Sequence, residues 1–117
     1  MPEPRFQQGA RATSGPPRHE VPAVDEAALA AANRADHLIA AARSNGAERW
    51  ERFLAPLPDR LRDADVAELR GVALRARAAY GPKDSVRDVL PAEVTEPFVD
   101  AVDRLLKVLA RRSVEPQ

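Results

Sequence analysis

Apolar positions recur at helical spacing along most of this chain and predict an all-α bundle of three main helices. Over residues 25–44 the sequence is rich in alanine, the best helix former. Its apolar positions alternate between spacings of three and four: Ala28, Ala31, Ala35, Leu38 and Ala42. Such a stripe lets a neighbouring helix approach closely but buries little area per residue. The helix therefore needs a larger partner, and a homodimer enclosing it is one candidate. Asn45-Gly46 is a typical helix stop.

Two further main helices are predicted over residues 65–80 and 95–112. Asp65 and Glu68 have the spacing of a capping box. The apolar stripe behind them ends at Tyr80, before the stop signal Gly81-Pro82. Thr95 is predicted to cap the last helix, with Pro97 tolerated in its first turn. The apolar face of that helix contains Phe98, Ala101, Val102, Leu105, Val108 and Leu109.

The connecting segments predict one or two short helices. Residues 47–54 form one of them, in which Trp50 and Phe53 are expected to anchor the core. Pro56 and Pro58 should break this helix and leave Leu61 in an irregular turn. A short capped turn is predicted after Ser85. No alternation of apolar and polar residues persists long enough to predict a strand.

Residues 1–22 differ in amino-acid composition from the rest of the chain. They contain five prolines and two glycines but few sizeable apolar side chains, and such a segment buries too little surface to offset the entropy of ordering it. We therefore predict a disordered tail over 1–22, a single helical domain over 23–113 and a short C-terminal tail over 114–117.

Composition narrows the function classes. The chain has no cysteine, which excludes disulfides and thiol chemistry. No apolar run is long enough to span a bilayer, and the first residues lack the apolar core of a secretory signal, so we expect a cytoplasmic protein with no membrane association. Sixteen of the eighteen basic residues are arginine, which together with abundant alanine indicates a GC-rich, bacterial genome.

The sequence offers little for catalysis, metal binding or cofactor binding. His37 has no second histidine or cysteine at ligand spacing. No serine lies in a nucleophile motif, and no glycine-rich phosphate loop is present. The carboxylates fall at caps or on solvent faces, where nothing would raise the pKa of one of a pair. We therefore expect no enzyme, no metal and no cofactor.

Two basic features remain as candidates for binding. The loop from Tyr80 to Ser85 could hold an anion with Lys83, although each of its residues also suits a stop, turn and cap. Arg70 and Arg77 lie two turns apart on one helix and could share a face with Lys107, Arg111 and Arg112. That face would suit nucleic acid, against which the balance of eighteen basic and eighteen acidic residues argues weakly.

An interaction module is the function that these exclusions leave. The sequence predicts a non-catalytic adaptor that binds another protein or itself, with nucleic-acid association through the arginine face as the alternative. The candidate interaction residues are Trp50, Phe53, Tyr80, Lys83, Arg70 and Arg77.

Overall fold

The computed structural model describes residues 16–114, and within them the predicted all-α bundle is confirmed. The helices are α1 (Pro22–Ser44), α2 (Glu48–Leu54), α3 (Leu57–Asp63), α4 (Val66–Arg77) and α5 (Ala92–Val114). Two 3₁₀ turns accompany them, at Arg18–Glu20 and Val86–Asp88. The described part of the chain thus has three main helices and two short ones.

Helix α1 lies at the centre and contacts α5, α3 and α2. The alanine stripe predicted from the sequence is its inner face, because Ala28, Ala31, Ala35, Leu38 and Ala42 are all fully buried. These small side chains let α5 and α3 of the same chain pack directly on α1. The stripe is therefore covered within a single chain, without a second copy.

The stop after α1 is built as predicted. Gly46 has φ of 68°, a left-handed conformation that glycine adopts at little cost. The amide of Ala47 donates to the carbonyl of Ala42, and the amide of Gly46 donates to that of Arg43. This is a Schellman motif, and it turns the chain directly into α2.

The segment after α2 is more regular than predicted. Residues 57–63 form α3 rather than an irregular turn, and Leu61 is fully buried in it. The prolines do end α2, but Pro56 is the N-cap of α3 and Pro58 lies in its first turn. Proline is tolerated there because first-turn amides have no helical acceptor.

Two helix ends also differ from the prediction. Helix α4 starts with the predicted capping box of Asp65 and Glu68 but ends at Arg77, so Tyr80 lies beyond it and bridges to Ser85. Helix α5 begins at Ala92, three residues before the predicted cap Thr95. The carbonyl of Pro91 accepts the amides of Val94 and Thr95, and Thr95 is buried inside the helix.

Helical structure begins before residue 23, within the segment that was predicted to be a tail. Most of the predicted tail 1–22 falls outside the described residues, but Arg18–Glu20 form a 3₁₀ turn that contacts α1. The side chain of Arg18 is only 13% exposed and donates to the carbonyls of Leu61 and Ala64. This arginine ties the segment before α1 to the end of α3, a link that composition does not reveal.

Candidate partner-binding groove

The residues singled out in the sequence do not form one site. Trp50 is buried on α2 and its ring meets Phe53 edge-to-face, with centroids 5.7 Å apart. Trp50 is therefore a core residue, as the pattern predicted, while Phe53 is half-buried. The guanidinium of Arg75 on α4 lies 5.0 Å from the centroid of Phe53.

The loop from Tyr80 to Ser85 has structural partners for most of its groups. The hydroxyl of Ser85 accepts the amide of Arg87, so the amide that would face an anion is already used. Lys83 is exposed and has Asp84 beside it, whose carboxylate lies 3.5 Å from Arg49. The helix that follows is a single 3₁₀ turn, too short for a useful dipole. This geometry favours the stop, turn and cap interpretation.

The five residues of the predicted arginine face lie on two helices and have different neighbours. Arg77 pairs with Asp103 at 2.9 Å across α4 and α5. Arg111 and Arg112 instead line a cleft of about 350 Å³ against the start of α1. Arg70 and Lys107 are exposed on α4 and α5.

A polar cluster joins the end of α4 to the start of α5. The hydroxyl of buried Tyr80 donates to the carbonyl of Thr95 at 2.6 Å, and burial raises the pKa of this phenol. Arg87 lies over the Tyr80 ring and donates two hydrogen bonds to Glu96, at 2.8 and 2.9 Å. These groups are mutually satisfied, so we assign the cluster to holding the loop rather than to chemistry.

The pH dependence of the melting temperature should reveal how much this cluster contributes to stability. Hydrogen bonds from Arg87 and Thr95 hold the pKa of Glu96 below its ordinary value of 4.5. A lowered folded-state pKa contributes stability that is fully present above the unfolded value and is lost as pH falls through the folded value. The melting temperature of Glu96→Gln should therefore lie below that of wild type at neutral pH, with the gap closing below pH 4.5. Glu93→Gln, at an exposed position on the same helix, is the control, and a gap that stays constant into acid would contradict the assignment.

A surface groove of about 600 Å³ lies between α3 and α4. We call it the α3–α4 groove. Its floor is apolar or small and its rim is charged. The floor consists of Leu57, Ala64, Ala67, Gly71 and Val72, and the rim of Asp59, Arg60, Asp63, Glu68 and Arg75. Apolar centres with polar rims are typical of surfaces that bind other proteins.

Helix α4 carries an uncharged stripe beside this groove. Ala67, Gly71, Leu74 and Ala78 recur at spacings of four, three and four, which places them on one face. All four are exposed, and Leu74 keeps 47% of its surface accessible. We call this face the α4 stripe. The stripe was not predicted from the sequence, because the apolar pattern of this helix marks its inner face, although Gly71 in mid-helix was a visible signal.

Charged side chains of both signs surround the groove. Asp59, Arg60 and Asp63 form no ion pair with any described residue. The backbone amide of Asp65 donates to Glu68, which leaves the second carboxylate oxygen of that side chain available. A partner that brings complementary charges could therefore pair with this rim without displacing existing salt bridges.

Residues 16–114 contain no group of three or more acidic, histidine or cysteine side chains that could hold a metal ion. No helix within the same range is both long and apolar enough to cross a membrane. In the comparisons with known proteins, no family model, no curated protein and no solved structure matches this chain.

Proposed function

We propose that this chain is a non-catalytic protein-interaction module that receives its partner, another protein or a second copy of itself, on the α4 stripe and in the α3–α4 groove. The observation that carries the proposal is Gly71, which lies exposed in the middle of α4, in the small, apolar floor of the groove and beside its charged rim. Such a surface has the anatomy of a contact for a helix.

No contact within the described part of the chain requires glycine at position 71. A methyl group there would meet no atom within 4 Å. Glycine in an exposed helix interior costs about 1 kcal/mol of stability relative to alanine. An approach of another backbone to this point of α4 explains the missing side chain, because glycine lets two helices come closer together than any other residue does.

Leu74 supports the same interpretation. It is one of three large apolar side chains that are strongly exposed in the described residues, with Leu29 and Val89. Single exposed leucines are ordinary, but Leu74 continues the α4 stripe one turn beyond Gly71. A partner covering the stripe would bury this side chain and gain apolar contact beside the close approach.

A capture experiment with matched glutamine substitutions tests the proposal. The full chain, tagged, serves as bait in extract from its own source cells, as wild type, Gly71→Gln and Ala40→Gln. Glutamine is a good helix former, so both variants should keep the fold, as circular dichroism melting can verify. Ala40 is exposed on α1, away from the groove. We expect wild type and Ala40→Gln to retain the same protein, and Gly71→Gln to retain at least about tenfold less, because the new side chain blocks the contact.

Two outcomes would contradict the proposal. Equal recovery by all three baits would mean that the α3–α4 groove is not the binding face. Recovery of nucleic acid, lost steeply as salt is raised and unaffected by Gly71→Gln, would favour the alternative function through the predicted arginine face.

A further inference from the structure

We propose that the occupant of the α3–α4 groove is a second copy of this chain, docked with its α4 antiparallel to the first about a two-fold axis beside Gly71. The inference rests on the proposed function and specifies the partner. Its support comes from the charges that flank the α4 stripe.

Glu68 and Arg75 stand on the same flank of the stripe, the one that borders the groove. They are seven residues apart, which is two turns or about 10.5 Å along the helix. In an antiparallel pair related by a two-fold axis, each flank faces its own equivalent on the other copy. Glu68 of one copy then lies opposite Arg75 of the other, and the pairing occurs twice.

The charge pairing and the glycine locate the axis independently. If residue 68 of one copy lies opposite residue 75 of the other, the midpoint of the antiparallel pair falls between residues 71 and 72. The point of closest approach between the two helices is then at Gly71, where a methyl group has nothing within 4 Å in the single chain. A glycine at the crossing point is what allows two helix backbones to approach there.

A parallel arrangement matches the charges less well. It would set the flank of Glu68 and Arg75 against the opposite flank, which carries Arg70 and Arg77. Glu68 would then face Arg70 of the other copy, but Arg75 would face Arg77, and this like-charge contact would occur twice. The self-complementary arrangement is therefore the antiparallel one.

The remaining charged groups near this contact modify its strength. Asp59, Arg60 and Asp63 on the α3 wall of the groove offer charges of both signs to the second copy. On the opposite flank Arg77 is already paired with Asp103, but Arg70 would lie near its own equivalent across the axis. Arg70→Gln should accordingly tighten the dimer a few-fold, since it removes a like-charge contact.

Charge exchange between two variants tests the geometry. We would measure the mass of the full chain by size-exclusion chromatography with light scattering over a dilution series. Wild type should dimerise, whereas Glu68→Arg alone and Arg75→Glu alone should each raise the dissociation constant at least about tenfold, because both contacts become like-charged. An equimolar mixture of the two variants should recover a heterodimer, since each of its two contacts then joins an arginine of one copy to a glutamate of the other.

The mixture also separates interface effects from folding effects. Glu68→Arg loses the hydrogen bond within the capping box, and Arg75→Glu loses the contact with Phe53. Mixing restores neither, so recovery of the dimer can come only from the interface. Arg34→Glu, an exposed charge reversal on α1, is the control and should dimerise like wild type.

The outcomes distinguish this inference from the proposed function. A wild-type chain that stays monomeric at all concentrations overturns the self-docking, and the capture experiment then decides the proposed function alone. A mixture that stays monomeric while wild type dimerises overturns the antiparallel pairing. A dimer unaffected by Glu68→Arg, Arg75→Glu and Gly71→Gln overturns the inference, because the two copies then meet on another face, and the capture experiment again decides the proposed function.

Discussion

Trp50→Ala is expected to lower the free energy of unfolding by about 3–5 kcal/mol, a large part of what holds a domain of this size together. The side chain is 7% exposed, and its ring meets Phe53 at an interplanar angle of 79°. The guanidinium of Arg49 lies 4.6 Å from the ring centroid on the solvent side. The substitution removes the ring contact and the cation–π contact, and it leaves a cavity between α2 and the helices that it covers.

Urea unfolding followed by circular dichroism would measure this effect, because the substitution removes the single tryptophan that fluorescence would report. Leu29→Ala is the matched control: it removes an apolar side chain from α1 that is 39% exposed, and it should cost no more than about 1 kcal/mol. A Trp50→Ala protein as stable as the Leu29→Ala protein would show that Trp50 does not anchor the core.

Much of the fold could be predicted from the sequence because its signals are local. The spacing of Ala28, Ala31, Ala35, Leu38 and Ala42 identified the inner face of α1, since burial follows the helical period. The capping box at Asp65 and the turn at Gly46 depend on backbone groups only a few residues away. Such local chemistry is readable without knowing what packs around it.

Features that depend on distant contacts were not predictable in the same way. Proline favours both the end of one helix and the start of the next. Pro56 and Pro58 were therefore interpreted as the end of α2, and the start of α3 was not predicted. Thr95 has the chemistry of a cap, but it is buried inside α5, and its carbonyl accepts the Tyr80 hydroxyl. In these segments tertiary packing decides between two locally acceptable structures.

The candidate binding face was less accessible still. Sequence reasoning favoured large and charged residues, and so it selected Trp50, which is in the core, and Arg77, which is paired with Asp103. The α4 stripe consists mainly of small residues, and their importance depends on their exposure. Ala67 on this stripe and Ala73 on the inner face of the same helix are chemically identical, but one is exposed and the other fully buried. Only the packing of α3 and α5 determines which face of α4 remains open.

Arg18→Ala is expected to lower the free energy of unfolding by about 2–3 kcal/mol, although Arg18 precedes every main helix and lies in the predicted tail. One guanidinium nitrogen, Nη1, donates to the carbonyls of Leu61 and Ala64 at 2.8 and 3.0 Å, and Nε pairs with Asp25 at 2.8 Å. The carbonyl of Leu61 would normally accept the amide of Asp65, but that amide donates to the side chain of Glu68. Arg18 therefore satisfies acceptors at the end of α3 that the capping box of α4 leaves open.

The contribution of the hydrogen bonds of Arg18 to stability can be separated from the contribution of its positive charge. Arg18→Lys keeps the positive charge near the negative end of α3 but lacks the planar fork that serves carbonyls and carboxylate together, so its stability should fall between those of wild type and Arg18→Ala. Arg34→Ala removes an exposed arginine from α1 and should stay within about 0.5 kcal/mol of wild type. Chemical denaturation of the four proteins measures the order. If Arg18→Ala were as stable as Arg34→Ala, the turn at Arg18–Glu20 would contribute nothing to the domain, and the boundary would return to residue 23. If the expected order holds, the folded unit begins at Arg18, because the two carbonyls at the end of α3 depend on it.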